Sequence, residues 1–261
     1  MGIKPFDEQL LKKAQAHIDQ LTKPRGSLGR IEQLAVQLVG ITNELKPNVE
    51  RPAIIVAAAD HGIVSEGVSA YPQKVTALMI DNFVKGKAAI NVFARQIGAT
   101  VIVADVGVNG DVSHLPIEHH KIRNGTRNFL VEDAMTLAEV EEAIAVGRKL
   151  AAEMIARGHR LLITGEMGIG NTSASSALVA AFTGADVDQV VGKGTGLDEE
   201  GRKKKVKTIE EALRRRNITQ STPPLDVLAK VGGLEIAALT GVILEGATRR
   251  VPVLVDGFIS S

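Results

Sequence analysis

The chain has 261 residues and no cysteine, so it can bury a substantial core unaided, and disulfides, thiolate metal sites and a cysteine nucleophile are excluded. Lysine and arginine number 31 against 30 acidic residues, which excludes the basic excess of a general nucleic-acid or anionic-membrane binder. Aromatics are 3% of the chain, with one Tyr and no Trp, too few for a single-strand stacking platform, so the core must be aliphatic.

From the N-terminus, residues 5–21 and 30–45 read as two helices around Thr22-Lys23-Pro24-Arg25-Gly26-Ser27-Leu28-Gly29. No strand lies between them, so residues 1–50 are expected to form a small helical subdomain, with a second domain over 51–261. The opening stretch is mixed in charge and lacks an apolar signal core, and no apolar run approaches the roughly 20 residues of a spanning helix. The cytoplasm is the expected compartment.

Four short apolar runs, 53–59, 101–106, 161–164 and 251–255, read as buried parallel strands. Each meets a polar or glycine-rich turn: Asp60-His61-Gly62, Gly107, Gly165 and Asp256-Gly257. Helical patterns lie between them at 75–84, 88–97, 137–156, 172–182, 199–216 and 234–245. Strand alternating with helix predicts a doubly wound α/β fold with a mainly parallel sheet, whose ligands bind beyond the carboxyl ends of the strands. The last strand is followed by Asp256-Gly257-Phe258-Ile259, which reads as the start of a further crossover.

The most pointed motif is Gly165-Glu166-Met167-Gly168-Ile169-Gly170-Asn171-Thr172-Ser173, which follows a strand and opens a helix. Backbone N–H groups at such a turn, the helix N-terminus and the hydroxyls of Thr172 and Ser173 suit a phosphate; a turn that binds nothing is the bland alternative. Asn171 stands where a P-loop carries its lysine, so a nucleotide monophosphate fits better than ATP, and a P-loop nucleotidase is disfavoured. Glu166, partly buried in the motif, is expected to have a raised pKa and to exchange a proton near neutral pH. A second glycine loop, Val191-Gly192-Lys193-Gly194-Thr195-Gly196-Leu197-Asp198, either forms another anion nest or is plain turn chemistry ending in an Asp198 N-cap. Of Lys203, Lys204, Lys205 and Lys207, most should be solvated, and one turned inward toward the phosphate loop would be functional. Asp60-His61 could do acid–base work or simply fix its turn; His119-His120 reads as surface.

Taken in order, Lys23-Pro24-Arg25-Gly26-Ser27-Leu28-Gly29-Arg30-Ile31-Glu32, Ala59-Asp60-His61-Gly62-Ile63-Val64, Gly67-Val68-Ser69-Ala70-Tyr71-Pro72, Asp105-Val106-Gly107, the 165–172 loop, the 192–198 loop and Val255-Asp256-Gly257-Phe258-Ile259 resemble the nicotinate-nucleotide–dimethylbenzimidazole phosphoribosyltransferase family across essentially the whole chain. The resemblance implies a metal- and cofactor-independent homodimer that converts nicotinate mononucleotide and 5,6-dimethylbenzimidazole to α-ribazole 5′-phosphate, the lower-ligand nucleotide of cobalamin, and nicotinate. It assigns Gly168, Ile169, Gly170, Asn171 and Thr172, with Gly194 and Lys205, to phosphate and ribose, and Tyr71, Met79 and Met167 to the benzimidazole. Tyr71 and Met79 replace more polar residues of some members, so base preference is expected to differ. The family's general base lies in a Gly-Glu-Gly-Thr-Gly string beyond position 261, which leaves Glu166 as the carboxylate of the motif. Residues 1–261 are therefore expected to form an impaired transferase, with a non-catalytic nucleotide- and benzimidazole-binding protein as the alternative.

Overall fold

The computed structural model describes residues 2–261. Five strands form one all-parallel sheet: β1 (Pro52–Ala59), β2 (Thr100–Gly107), β3 (Glu118–His119), β4 (Leu161–Met167) and β5 (Val253–Leu254). Their order is β3-β2-β1-β4-β5. The chain thus winds outward from β1 to β2 and β3, then returns to place β4 on the other side of β1. The reversal makes the carboxyl ends of β1 and β4 a topological switch point, where parallel α/β sheets open a crevice.

The composition of β1 explains why it is central. All but its first residue are buried, and its side chains alternate between two cores. Ala53, Ile55, Ala57 and Ala59 face one core; Ile54, Val56 and Ala58 face the other. The second core is covered by α3 (Lys74–Val84) and α4 (Ala89–Ile97), through Ile80, Phe83 and Ala94. The first is covered by α5 (Leu137–Ala156), α6 (Asn171–Thr183), α8 (Glu199–Arg215), α9 (Pro224–Val231) and α10 (Leu234–Arg249). A one-turn helix, α7 (Val187–Val190), lies between α6 and α8. Helices on both faces of a parallel sheet make the fold doubly wound, as the alternation of runs predicts.

The N-terminal pair is α1 (Glu8–Asp19) and α2 (Arg30–Thr42). Asp7 caps α1 by accepting from the Gln9 and Leu10 N–H groups, and Phe6 and Leu11 pack over Gly40 of α2. Their intervening loop is closed by the Lys23–Glu32 ion pair at 2.8 Å and by the Leu28 N–H donating to Glu32. The Arg250 guanidinium, just past α10, donates to the carbonyls of Pro5, Gly40 and Ile41 and so fastens the pair to the sheet domain.

Several boundaries differ from the sequence reading. β4 runs on to Met167, so Glu166 lies in the strand, opposite Ala57, rather than inside the loop. β5 is only Val253–Leu254, because Pro252 has no N–H to donate and its carbonyl accepts from Leu162 N instead. β3 is too short to leave a periodic signal, and α9 follows the helix-starting Pro223-Pro224 pair. After β5, the short helix α11 (Gly257–Ser260) packs on α6, with Phe258 and Ile259 lining a cavity of about 300 Å³ beside Leu178 and Phe182.

Helices α5 and α10 approach each other backbone to backbone. A Cβ built on Gly147 would lie 1.7 Å from the Ala238 carbonyl oxygen, and one on Gly241 would lie 2.1 Å from that of Ile144. Helix propensity alone favours alanine over glycine by about 1 kcal/mol. Here overpacking, about 1–3 kcal/mol, must win because the obstructing atoms are backbone. Gly147→Ala is expected to lower the urea midpoint at unchanged slope; a raised midpoint would contradict this close approach.

Candidate active site

The residues leaving β1 lie at the switch point between β1 and β4. Asp60 and His61 are both fully buried. The Asp60 carboxylate accepts from Thr76 Oγ1 at 2.7 Å and from the Asn109 N–H at 2.8 Å. Thr76 Oγ1 in turn accepts from the Ile169 N–H at 3.1 Å. Asp60 therefore stitches α3, the loop after β2 and the glycine turn after β4 into one unit. Of its two readings, fixing the turn is what these bonds support. Burial pushes its carboxyl up, against the hydrogen bonds that lower it.

His61 pairs with a residue that the sequence reading does not single out. Its Nε2 lies 2.6 Å from Glu235 Oε1, both side chains having no exposure. Burial alone would lower the imidazole pKa, but the Glu235 charge and hydrogen bond outweigh it and hold His61 above the ordinary histidine value. The available signal was a lone carboxylate in an apolar run directly after Gly232-Gly233.

Glu166 comes from the end of β4, and the Asn171 side-chain amide donates to it from the first residue of α6. Burial pushes its carboxyl up to about 7, reinforced by the nearby Glu235 and Asp256 charges and opposed by His61 and the Asn171 hydrogen bond. It is thus poised to exchange a proton near neutral pH.

The glycines between Glu166 and α6 are needed for packing. A Cβ on Gly168 would lie 2.2 Å from the Ala59 carbonyl oxygen; one on Gly170, whose φ is +101°, would meet Val64 at 2.7 Å and His61 at 2.9 Å. The turn therefore rests on the end of β1, leaving the 13-residue α6 with its N-terminus at the crevice. Ser173 Oγ, in its first turn, is buried with no hydrogen-bond partner among the described residues.

Lys205 completes this end of the site. Within the lysine run of α8, Lys203, Lys204 and Lys207 are exposed, whereas Lys205 is fully buried. Its ammonium donates to Thr172 Oγ1 at 2.7 Å, and burial holds its pKa down to about 8. No carboxylate among the described residues forms an ion pair with it. The position of a Cβ on Gly194 would be 3.1 Å from both Lys205 Nζ and Thr172 Oγ1, so the second glycine loop lies directly over this pair. Asp198 closes that loop as the N-cap of α8, accepting from the Gly201 N–H at 2.8 Å. Thr195 Oγ1 accepts from the Ala70 N–H at 2.9 Å and bonds Ser69 Oγ at 3.2 Å, which ties the second loop to the segment carrying Tyr71.

The other residues picked from sequence fall into two groups. Met79 on α3 and Met167 at the end of β4 are partly buried against the same core, on the side of the sheet that α3 and α4 cover. Tyr71 is 54% exposed. His119, in β3, is exposed and bonds only the Leu115 carbonyl, as a surface residue would.

A helix N-terminus, a buried lysine and a carboxyl raised to about 7 come together at the switch point of a parallel sheet, the place where such folds bind ligands. Residues 3–261 match a family model described as Phosphoribosyltransferase. The nicotinate-nucleotide–dimethylbenzimidazole phosphoribosyltransferase of Roseiflexus castenholzii (strain DSM 13941 / HLO8) is 51% identical over 259 residues, 99% of this chain and 73% of that protein. The enzyme of the same name from Geobacter sp. (strain M21) is 49% identical over 264 residues, 99% of this chain and 74% of that protein. The crystal structure of CobT from Thermus thermophilus superposes with a TM-score of 0.92 at 45% identity, covering 97% of this chain and 75% of that one. The chain is a phosphoribosyltransferase, and it belongs to the nicotinate-nucleotide–dimethylbenzimidazole phosphoribosyltransferase family.

A carboxyl raised from 4.5 to about 7 has a stability consequence of definite sign. Above pH 7 the folded protein carries the Glu166 charge at a cost that the unfolded chain does not bear; near pH 4 both states are largely protonated. At about 1.4 kcal/mol per unit, Glu166→Gln is expected to stabilise the protein by about 1–3 kcal/mol at pH 8 and by much less at pH 5. Thermal unfolding at the two pH values checks this; an equal effect at both would mean that Glu166 ionises normally.

Proposed function

We propose that this protein transfers the phosphoribosyl group of nicotinate mononucleotide to 5,6-dimethylbenzimidazole, giving α-ribazole 5′-phosphate and nicotinate. The single observation that carries the reading is Lys205: a buried ammonium beside the N-terminus of α6 that has a hydroxyl but no carboxylate for company. A phosphate monoester supplies the missing charge and enough acceptor oxygens for Lys205, Thr172 and the first N–H groups of the helix. In this reading Gly168, Ile169, Gly170, Asn171 and Gly194 form the walls around phosphate and ribose. Met79 and Met167 supply an apolar, polarizable surface for the benzimidazole, with Tyr71 at the rim.

The attacking ring nitrogen of the base forms its bond to the anomeric carbon of the ribose as the bond to the pyridinium breaks. That bonding pair returns to the pyridine nitrogen, and nicotinate leaves. Inversion carries the β-linkage to α. The base's other nitrogen gives up its proton, which Glu166 accepts as a carboxylate. Positioning two reactants in one crevice supplies much of the remaining acceleration.

Residues 1–261 by themselves bind these substrates better than they turn them over. The chain spans 73% of the length of its Roseiflexus castenholzii relative, and the resemblance implies that the family's own general base belongs to a segment beyond position 261. A positioned general base is worth about a hundred- to ten-thousand-fold, so Glu166 alone supports a residual rate. The second reading, a nucleotide- and benzimidazole-binding protein without turnover, is favoured by the same considerations if that residual rate is absent.

Binding is tested by titrating nicotinate mononucleotide calorimetrically. Affinity is expected to fall between pH 7 and pH 9, because Lys205 loses its proton near pH 8. Lys205→Met should weaken binding tenfold or more and flatten the pH dependence. Unchanged affinity would remove the phosphate assignment. A substitution at Gly170 is a poorer probe, since any side chain there also collides with Val64 and His61. Turnover is tested by α-ribazole 5′-phosphate formation beside a full-length relative. A rate far below the relative's, abolished by Glu166→Gln, is expected; comparable rates would place the base elsewhere in residues 1–261.

We also propose a homodimer. Phe93 and Ile97, one turn apart on α4, are 64% and 57% exposed, and Leu78 of α3 is 61% exposed on the same side of the sheet. Exposed apolar side chains on the helices that cover one face of the sheet offer an association surface. Light scattering is expected to give a dimer that Phe93→Glu converts to monomer; a monomeric wild type would contradict the proposal.

A further inference from the structure

We propose that His61 and Glu235 are positioning residues of the transferase site: their buried pair underlies the 166–171 turn and sets the placement and the electrostatic surroundings of Glu166. The inference rests on the proposed transfer chemistry and extends it to two residues, 174 apart in sequence, that reach the site only from below.

The steric part is direct. The imidazole is wedged among three glycines. A Cβ on Gly168 would be 3.3 Å from His61 Nε2, one on Gly170 would be 2.9 Å from His61 Cβ, and one on Gly233 would be 2.5 Å from His61 Cε1. The ring therefore sets the height of the glycine turn above the end of β1. That turn delivers Asn171, whose amide holds the Glu166 carboxylate. Glu235, in the first turn of α10, holds the ring in place at 2.6 Å. Gln73 adds a second restraint by donating to the His61 carbonyl at 2.8 Å.

Stability alone accounts poorly for such a pair. Two fully buried charges carry a desolvation penalty that well-packed apolar residues avoid. Both outer atoms, His61 Nδ1 and Glu235 Oε2, are buried without a hydrogen-bond partner among the described residues. The charges of the pair act on Glu166. The charges around that carboxylate are Glu235 from α10, His61 after β1 and Asp256 after β5, with the Asn171 amide from α6. Glu235 raises its proton affinity more than His61 lowers it. Glu235→Gln removes the anion, and the buried imidazole, deprived of its partner, gives up its proton. With both charges gone, the Glu166 carboxyl moves down toward the ordinary range.

The test is a carboxyl-carbon NMR titration of the whole 261-residue chain labelled at glutamate, with Glu166→Gln identifying the resonance. The Glu166 midpoint is expected to be lowered by about half a unit or more in Glu235→Gln. It should stay unchanged in Glu245→Gln, which removes another buried carboxylate of the same helix. Should the single variant fail to fold, the His61→Gln/Glu235→Gln double variant replaces the charged pair with two amides, and the same lowering is expected. An unmoved midpoint in either folded variant overturns the proposal, as does an equal shift in Glu245→Gln. No substrate is present, so a failure here leaves the transfer reading intact, whereas loss of that reading would register in the nucleotide titration of Lys205→Met.

Discussion

An ammonium buried without a carboxylate beside it is the constraint on which the rest of this site depends. Lys205 has no exposure, and its hydrogen bond goes to the neutral hydroxyl of Thr172. Left uncompensated, a buried charge either loses its proton or must be held by surroundings that cannot relax. The protein does the second. Thr172 opens α6, the glycine turn before it is pressed onto β1, and the second glycine loop is held over the pair by Thr195. Each of these supports is itself fastened elsewhere, so the cost of the buried cation is spread over the fold.

The opposite end of the crevice has the opposite sign. Glu166, Glu235, Asp60 and Asp256 come from four separate parts of the chain, and only His61 offsets them. Burial of Glu166, with the Glu235 and Asp256 charges near it, pushes its carboxyl up to about 7. The buried cation and the raised carboxyl thus hold successive residues at the start of α6, Lys205 through Thr172 and Glu166 through Asn171. The sheet order makes this possible, since β1 and β4 are neighbours although β2, β3 and the helices α3, α4 and α5 lie between them in sequence.

Glycine has a different job here from the one its pattern suggests. In a sequence, Gly168 and Gly170 look like openings for a ligand's approach. In the structure both are filled from behind, by the Ala59 carbonyl and by the side chains of His61 and Val64. The turn's backbone is brought to the crevice because its inner side is packed against the strand end. The same use of space recurs at Gly147 and Gly241, where two long helices meet over the sheet.

Much of the architecture was legible in the residues themselves. Continuous apolar runs marked β1, β2 and β4, and α5 was readable to its ends from periodicity and the closing Gly158, because these signals arise from neighbours a few residues apart. The glycine turn and Glu166 were also visible, and an inward lysine was expected in the α8 run, with Lys205 named by the resemblance; in the structure it is buried with Val206, Ile209 and Ala212. The sequence by itself therefore determined the doubly wound fold and the kinds of group at the strand ends. Only the tertiary structure decided that Glu235 would meet His61, that Asp60 would hold Thr76 and the Asn109 N–H, and that Glu166 would be buried beside charges that raise its pKa. Those outcomes depend on which strand ends the topology makes adjacent and how deeply they are buried, and neither quantity is carried by any local stretch of chain.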